Sequence, residues 1–260
     1  MDERVKSARL QAPDIIEMEE LLLRLMRGVN NFAFQSFGNK VFLGPFRGME
    51  IPDINWTWDD GNSGTKMAGS YEFELHDAIE HAIWRRPSTV VNVGCAEGYY
   101  AIGLARRLPK AKIVAADLER ESLKLCEEYA KRNGVQVETL EGFETAEELR
   151  EVHLGPGHAL YVFDCEGAEY MLVDPMVVPA LQRADLIVEC HDFLDDGLSG
   201  RIADRLEGTH RVEVVRPRLP DFSRFEFLRN HPTLFAALIV LEKRPPNSCW
   251  LVAWAHRKGR

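Results

Sequence analysis

No CxxC pair occurs among the five cysteines (Cys95, Cys126, Cys165, Cys190, Cys249), so no disulfide framework is expected and a reducing, cytoplasmic setting fits. Long apolar runs are also missing. The longest, Leu234–Leu241, falls far short of the roughly 20 residues that cross a bilayer. The opening residues, M-D-E-R-V-K-S-A-R-L, lack the apolar segment of a signal peptide. Excess positive charge is absent too: the formal net charge is −9, and Arg216, Arg218 and Arg224 read as a solvated rim. Nucleic-acid binding rests on clustered Lys and Arg, so neither a nucleic acid nor a membrane is an expected partner. No internal repeat or low-complexity tract is visible.

What is present is an ordinary globular composition, 45% apolar and 28% charged over 260 residues, enough for one large α/β domain with a buried core. Apolar spacing predicts a helix over Pro13–Arg27, ended by Gly28 and Asn30-Asn31. Runs at Phe32–Phe37 and Lys40–Leu43, split by Gly38-Asn39, predict a hairpin. Ile54–Ser70 is dense in turn formers and reads as a loop, in which Trp56 and Trp58 either pin the chain to the core or form a lid. Residues 1–70 are thus expected to cap a main domain spanning residues 71–260.

From Tyr71 onward helices and strands alternate. The expected helices are Tyr71–Arg85 (with Ser70 as N-cap), Gly98–Leu108, Glu121–Arg132, Glu144–Val152, one opening at Asp174-Pro175, and Ser199–Leu206. The expected strands are Thr89–Val93, Lys112–Ala116, Val135–Leu140, Ala159–Phe163, Ala184–Glu189, Arg211–Arg216 and Trp250–Ala255. Thr233–Glu242 fits either state. This pattern predicts a parallel sheet with helices on both faces and an antiparallel edge near the C-terminus.

The chain is organised around Thr89–Asp117, a strand, a glycine turn, a helix and a second strand ending in an acid. The turn, Gly94-Cys95-Ala96-Glu97-Gly98, lacks the middle glycine that lets backbone approach a pyrophosphate, and Glu97 would sit beside the phosphates. No G-K-[ST] follows, so a P-loop is excluded. A nucleoside with an amino-acid tail fits better. The helix N-terminus at Gly98 can meet a carboxylate, and Asn92 or Glu97 can face an ammonium or sulfonium. Asp117 can accept both ribose hydroxyls, with Leu118 next to it, and Glu141-Gly142-Phe143 can flank an adenine. That ligand is S-adenosylmethionine.

A second motif follows the fourth strand: D-C-E-G-A-E, with Asp164, Glu166 and Glu169 around Gly167, while the fifth strand ends Glu189-Cys190-His191. With Asn92–Tyr100 and Y-E-F-E-L from Tyr71, these segments resemble the FkbM-like branch of the class I S-adenosylmethionine-dependent methyltransferases. Asn92 stands where that family usually has Asp, and residues 1–70 match none of its segments. The resemblance implies a Rossmann-like seven-stranded methyltransferase sheet and methyl transfer to an oxygen of a small-molecule acceptor. Transfer to nitrogen or carbon, or a non-catalytic regulatory role, stays open. So does a homodimer.

Asp164 then belongs to both the cofactor and the catalytic set, with Glu166 and His191 as further catalytic candidates and Tyr71 in the cofactor set. A base that takes the acceptor's proton must come from these strand ends, although Glu166 and Glu169 can equally serve only to bond the turn's amides. The metal content is open: Cys95, Cys165 and Cys190 join Asp164 and His191 at neighbouring strand ends, yet buried thiols are more often core. Phe222, Phe225 and Phe227 are candidates for lining the acceptor pocket.

Overall fold

The computed structural model describes residues 12–51, 62–230, 233–242, 244 and 247–256. The Trp56–Trp58 loop lies outside these residues. The described elements run α1 (Ala12–Phe37), α2 (Ser63–Ala68), a 3₁₀ turn (Phe73–Leu75), α3 (His76–Arg85), β1 (Thr89–Val93), α4 (Tyr99–Arg107), β2 (Lys112–Asp117) and α5 (Arg120–Arg132). After these come β3 (Glu138–Glu141), α6 (Ala146–Arg150), β4 (Ala159–Phe163), α7 (Glu169–Leu172), a 3₁₀ turn (Pro179–Arg183) and β5 (Asp185–His191). The chain continues through α8 (Leu198–Leu206), β6 (His210–Val215), two 3₁₀ turns (Phe222–Arg224, Glu226–Leu228), α9 (Thr233–Val240) and β7 (Ser248–Ala255).

The strands form one seven-stranded sheet in the order β3-β2-β1-β4-β5-β7-β6. β1 to β5 are mutually parallel and β7 runs antiparallel between β5 and β6. The chain leaves β1 toward β2 on one side and returns to β4 on the other. That reversal opens a crevice beyond the carboxyl ends of β1 and β4, where such sheets take ligands.

Both faces of the sheet are buried, which explains the almost unbroken apolar runs. One face packs Val90, Ile113, Leu160, Val162, Ile187 and Trp250 under α4, α5 and the N-terminal segments. The other packs Val91, Val114, Tyr161, Phe163, Val188 and Leu251 under α6, α7 and α8. A third small core joins Val29 of α1 to Phe225, Ile239 and Val240. Phe225 is therefore a core residue.

Four expectations are corrected. The predicted hairpin is not formed: α1 continues through Phe32–Phe37. Met26, Val29, Asn30 and Ala33 supply a helical stripe that is buried, and the helix runs on through Gly28. The helix ends instead at Gly38, whose φ of 70° is left-handed. Ser63–Ala68 is a buried helix within the segment read as loop, anchored by Gly64 N–H donating to Asn30 Oδ1 at 2.9 Å. Helix α3 starts at His76, and the Ser70 hydroxyl points back to Thr65 O at 3.4 Å and caps nothing. No helix opens at Asp174-Pro175, because Asp174 Oδ1 accepts from Met176 N–H at 2.8 Å in a tight turn. The expected antiparallel edge near the C-terminus is formed: β7 pairs antiparallel with both β5 and β6.

Candidate active site

The glycine turn after β1 is held from below and from the side. Gly94 N–H donates to Ala116 O at 2.8 Å, and Asp164 N–H donates to Val93 O at 2.9 Å. An added Cβ on Gly94 would lie 1.7 Å from Asp164 O, so the glycine is required by the approach of the β1 and β4 ends. Ala96 is left-handed at φ 45°. Its N–H donates to Asp117 Oδ2 at 2.8 Å, and Glu119 N–H donates to Oδ1 at 2.9 Å. Each Asp117 oxygen keeps acceptor capacity beyond these bonds.

Beside Asp117 the backbone leaves room. A Cβ at Gly142 would sit 2.6 Å from Leu118 N, so this glycine lets the β2 and β3 ends close up. Leu118, Gly142 and Phe143 share a cavity of about 610 Å³ with Glu141, while Phe143 also packs into the core below. The strand-end acid, the stripped turn and the neighbouring cavity, where Leu118 and Phe143 lie among charged side chains, fit a nucleoside cofactor.

The amino-acid end of the crevice differs from expectation. The Glu97 carboxylate forms a buried ion pair with Lys66 of α2, and the ammonium lies 4.8 Å from the Tyr71 ring centre. Tyr71 packs edge-on against Tyr99 at 5.0 Å, and burial with Glu72 beside it pushes its phenol well up. Asn92 is buried in β1; its amide nitrogen reaches Val162 O at 3.4 Å and its Oδ1 has no hydrogen-bond partner among the described residues. Gly98, at φ 92°, opens α4 against Cys126.

At the ends of β4 and β5 the second motif folds into one constellation. Glu169, fully buried, accepts from Cys165 N–H at 3.0 Å and Gly167 N–H at 3.1 Å, and from His191 Nδ1 at 2.8 Å. His191 Nε2 faces Glu166 Oε2 at 3.3 Å and Asp164 Oδ1 at 3.9 Å. Burial opposes its charge, but hydrogen bonds to Glu166 and Glu169 push its pKa up to about 11. The imidazole is then charged at neutral pH and does not serve as a free base. Burial and the Glu189 carboxylate push Asp164 well above the usual carboxyl range.

The cysteine expectation changes as well. The free thiols of Cys95 and Cys126 are hydrogen-bonded, and Cys190 lies beside Cys249 on the opposite sheet face from Asp164 and His191, because successive strand residues alternate. The ligating atoms that converge among the described residues are those of Asp164, Glu166 and His191, and separately those of Cys190, Asp192 and Cys249.

One group escaped the sequence reading. Arg244 is paired with Glu189 at 2.8 Å, Glu72 at 2.9 Å and Glu242 at 3.3 Å, with Glu74 at 3.9 Å, and Tyr100 O–H donates to Glu72. A cavity of about 190 Å³ reaches this cluster between Phe73, Glu74, Arg218 and Glu242. The available signals were Glu189 after the apolar run Leu186–Val188 and the paired glutamates of Y-E-F-E-L.

Residues 90–171 match the family model described as a methyltransferase domain. The chain is 37% identical over 71 residues, 27% of its length and 26% of the relative's, to the release factor glutamine methyltransferase of Deinococcus radiodurans. It is 30% identical over 113 residues, 42% of its length and 37% of the relative's, to the ribosomal protein L11 methyltransferase of Alteromonas mediterranea. The chain thus spans well under half the length of the curated relatives it matches. Among solved structures, an rRNA methylase from Streptococcus thermophilus superposes with a TM-score of 0.47 at 12% identity, over 71% of this chain and 97% of that one. Residues 90–171 are therefore similar to a methyltransferase domain, and the cofactor of that domain is S-adenosylmethionine.

Proposed function

We propose that the chain methylates a hydroxyl group of a small-molecule acceptor bound over the ends of β4 and β5. The observation that carries this reading is the convergence of Asp164, Glu166 and His191 beside the Gly94 turn. The FkbM-like motifs at Asp164–Glu169 and Glu189–His191 support the finer family assignment, with residues 1–70 as a cap on residues 71–260. No nucleic acid or membrane partner belongs to this reading, and no described helix is long and apolar enough to cross a membrane. The cytoplasm is the proposed setting, and a homodimer is compatible with it.

When bound, S-adenosylmethionine supplies an electrophilic methyl on a sulfonium. Asp117 holds the ribose through its remaining acceptor capacity, and the cavity at Leu118, Gly142 and Phe143 takes the adenine. Tyr71, Asn92, Ala96, Glu97 and Gly98 line the amino-acid end. Asp164 takes the acceptor's proton, since a carboxyl with a raised pKa is a better base than an ordinary one. His191, clamped by Glu169, keeps positive charge beside Asp164.

A second reading is transfer to an amine. It is favoured by the carboxylates of Glu72, Glu74, Glu189 and Glu242, which outnumber the single guanidinium among them and suit a cationic acceptor. By their names, the two curated relatives act on a release factor glutamine and on a ribosomal protein. Turnover with a panel of alcohols, phenols and amines, read by S-adenosylhomocysteine release and product fragmentation, decides. The hydroxyl reading predicts O-methyl products; N-methyl products alone overturn it.

A further inference from the structure

We propose that Asp164, Glu166 and His191 bind a divalent cation at the acceptor end of the site. Three ligand atoms of the right kinds, one imidazole nitrogen and two carboxylate oxygens, lie within 4.8 Å of one another. His191 Nε2 is 3.3 Å from Glu166 Oε2 and 3.9 Å from Asp164 Oδ1. Adjacent ligands of an octahedral ion bound at about 2.1 Å sit roughly 3 Å apart, so closure needs only small side-chain shifts. Glu166 has 81% of its side chain exposed and is free to make them.

The surroundings are built for this. The other ring nitrogen of His191 donates to Glu169, a fully buried carboxylate held by two backbone amides. Such a carboxylate fixes the orientation of the ring, and an ion arriving at Nε2 displaces the proton that His191 carries in the metal-free chain, the arrangement found behind metal-bound imidazoles. Asp164 Oδ1 is shielded from solvent and has no hydrogen-bond partner in the described structure. A nitrogen and two carboxylates suit manganese, iron or zinc in the divalent state, and they leave coordination positions free for the acceptor.

The ion's role rests on the methyl-transfer reading, although its binding does not. Coordination acidifies the acceptor hydroxyl, whose proton passes to the Asp164 oxygen that does not hold the ion. The electron pair left on oxygen forms the bond to the methyl group. The sulfur–methyl bond breaks, and its pair stays on S-adenosylhomocysteine.

The test is Mn²⁺ binding to the metal-free, untagged full chain, followed by loss of the free Mn²⁺ resonance signal. S-adenosylmethionine binding is measured separately by calorimetry. One Mn²⁺ per wild-type chain is expected, with affinity at least about tenfold weaker in Glu166→Gln and in His191→Asn. Glu166→Gln changes an exposed side chain, and its melting curve checks that it folds. No stoichiometric Mn²⁺ on the wild type, or equal affinity in folded Glu166→Gln, overturns the site. Mn²⁺ bound without any S-adenosylmethionine binding keeps the site and refutes the methyl-transfer reading instead.

Discussion

Replacing Arg244 with methionine should destabilise the chain in a strongly pH-dependent way. Only 11% of the Arg244 side chain is exposed, and it bridges Glu72, Glu189 and Glu242 at 2.8 to 3.3 Å. Removing one partner of a buried ionic cluster costs about 3–5 kcal/mol, because the remaining charges stay buried without compensation. At about 2–4 °C per kcal/mol for a chain of this size, the melting temperature should fall by roughly 6–20 °C near neutral pH. Burial already pushes Glu72 and Glu242 above the usual carboxyl range, with Arg244 pulling against it. A carboxyl with a raised folded pKa binds more protons folded than unfolded, so stability falls as pH rises through that range. Without Arg244 these pKa values rise further. The deficit against wild type should therefore be largest near about pH 8.5 and shrink toward about pH 5.5, as the glutamates take up protons. Thermal melts of both proteins across that range provide the assay. An equal melting temperature at alkaline pH, or a deficit that does not change with pH, refutes this reasoning.

Two further outcomes concern other carboxylates of the sheet. Asp185 accepts from Arg85 at 2.5 Å and is bonded to His158 at 2.5 Å; burial opposes its ionisation, but these partners hold its pKa below the usual value. Its contribution is present above about pH 4 and disappears as pH falls through the depressed folded value, so Asp185→Asn should lose about 3–5 kcal/mol near neutral pH, with the gap narrowing in acid; a gap that persists unchanged at low pH contradicts this. Asp117→Ala removes the acceptor for Ala96 and Glu119 N–H and should weaken S-adenosylmethionine binding about tenfold or more while the chain stays folded, as calorimetry and a melting curve will show.

Strands β1 and β4 were legible because both of their faces are buried, which leaves a bounded apolar run and little else. The glycine turn and Asp117 were legible for a related reason: strand, turn and strand are contiguous in sequence, so their geometry is local. The N-terminal segment misled because Phe32 and Phe34 have a strand's spacing ahead of the Gly38-Asn39 turn signal, while α1 is held by a stripe reaching back to Met26. The charges of the site were out of reach. Glu72 N–H donates to Glu242, 170 positions away, and Lys66 meets Glu97 across 31. His191 was visible as a candidate base, but its charge depends on Glu166 and Glu169 arriving together from another strand end. Periodicity reports which face of an element is buried, and it carries no information on which buried charges meet.

The central claim is that the Thr89–Asp117 unit and the β3 end hold S-adenosylmethionine. Calorimetric titration of the full chain with S-adenosylmethionine and S-adenosylhomocysteine tests it most directly. The account predicts saturable binding of both at one site per chain. A folded wild-type chain that binds neither contradicts it.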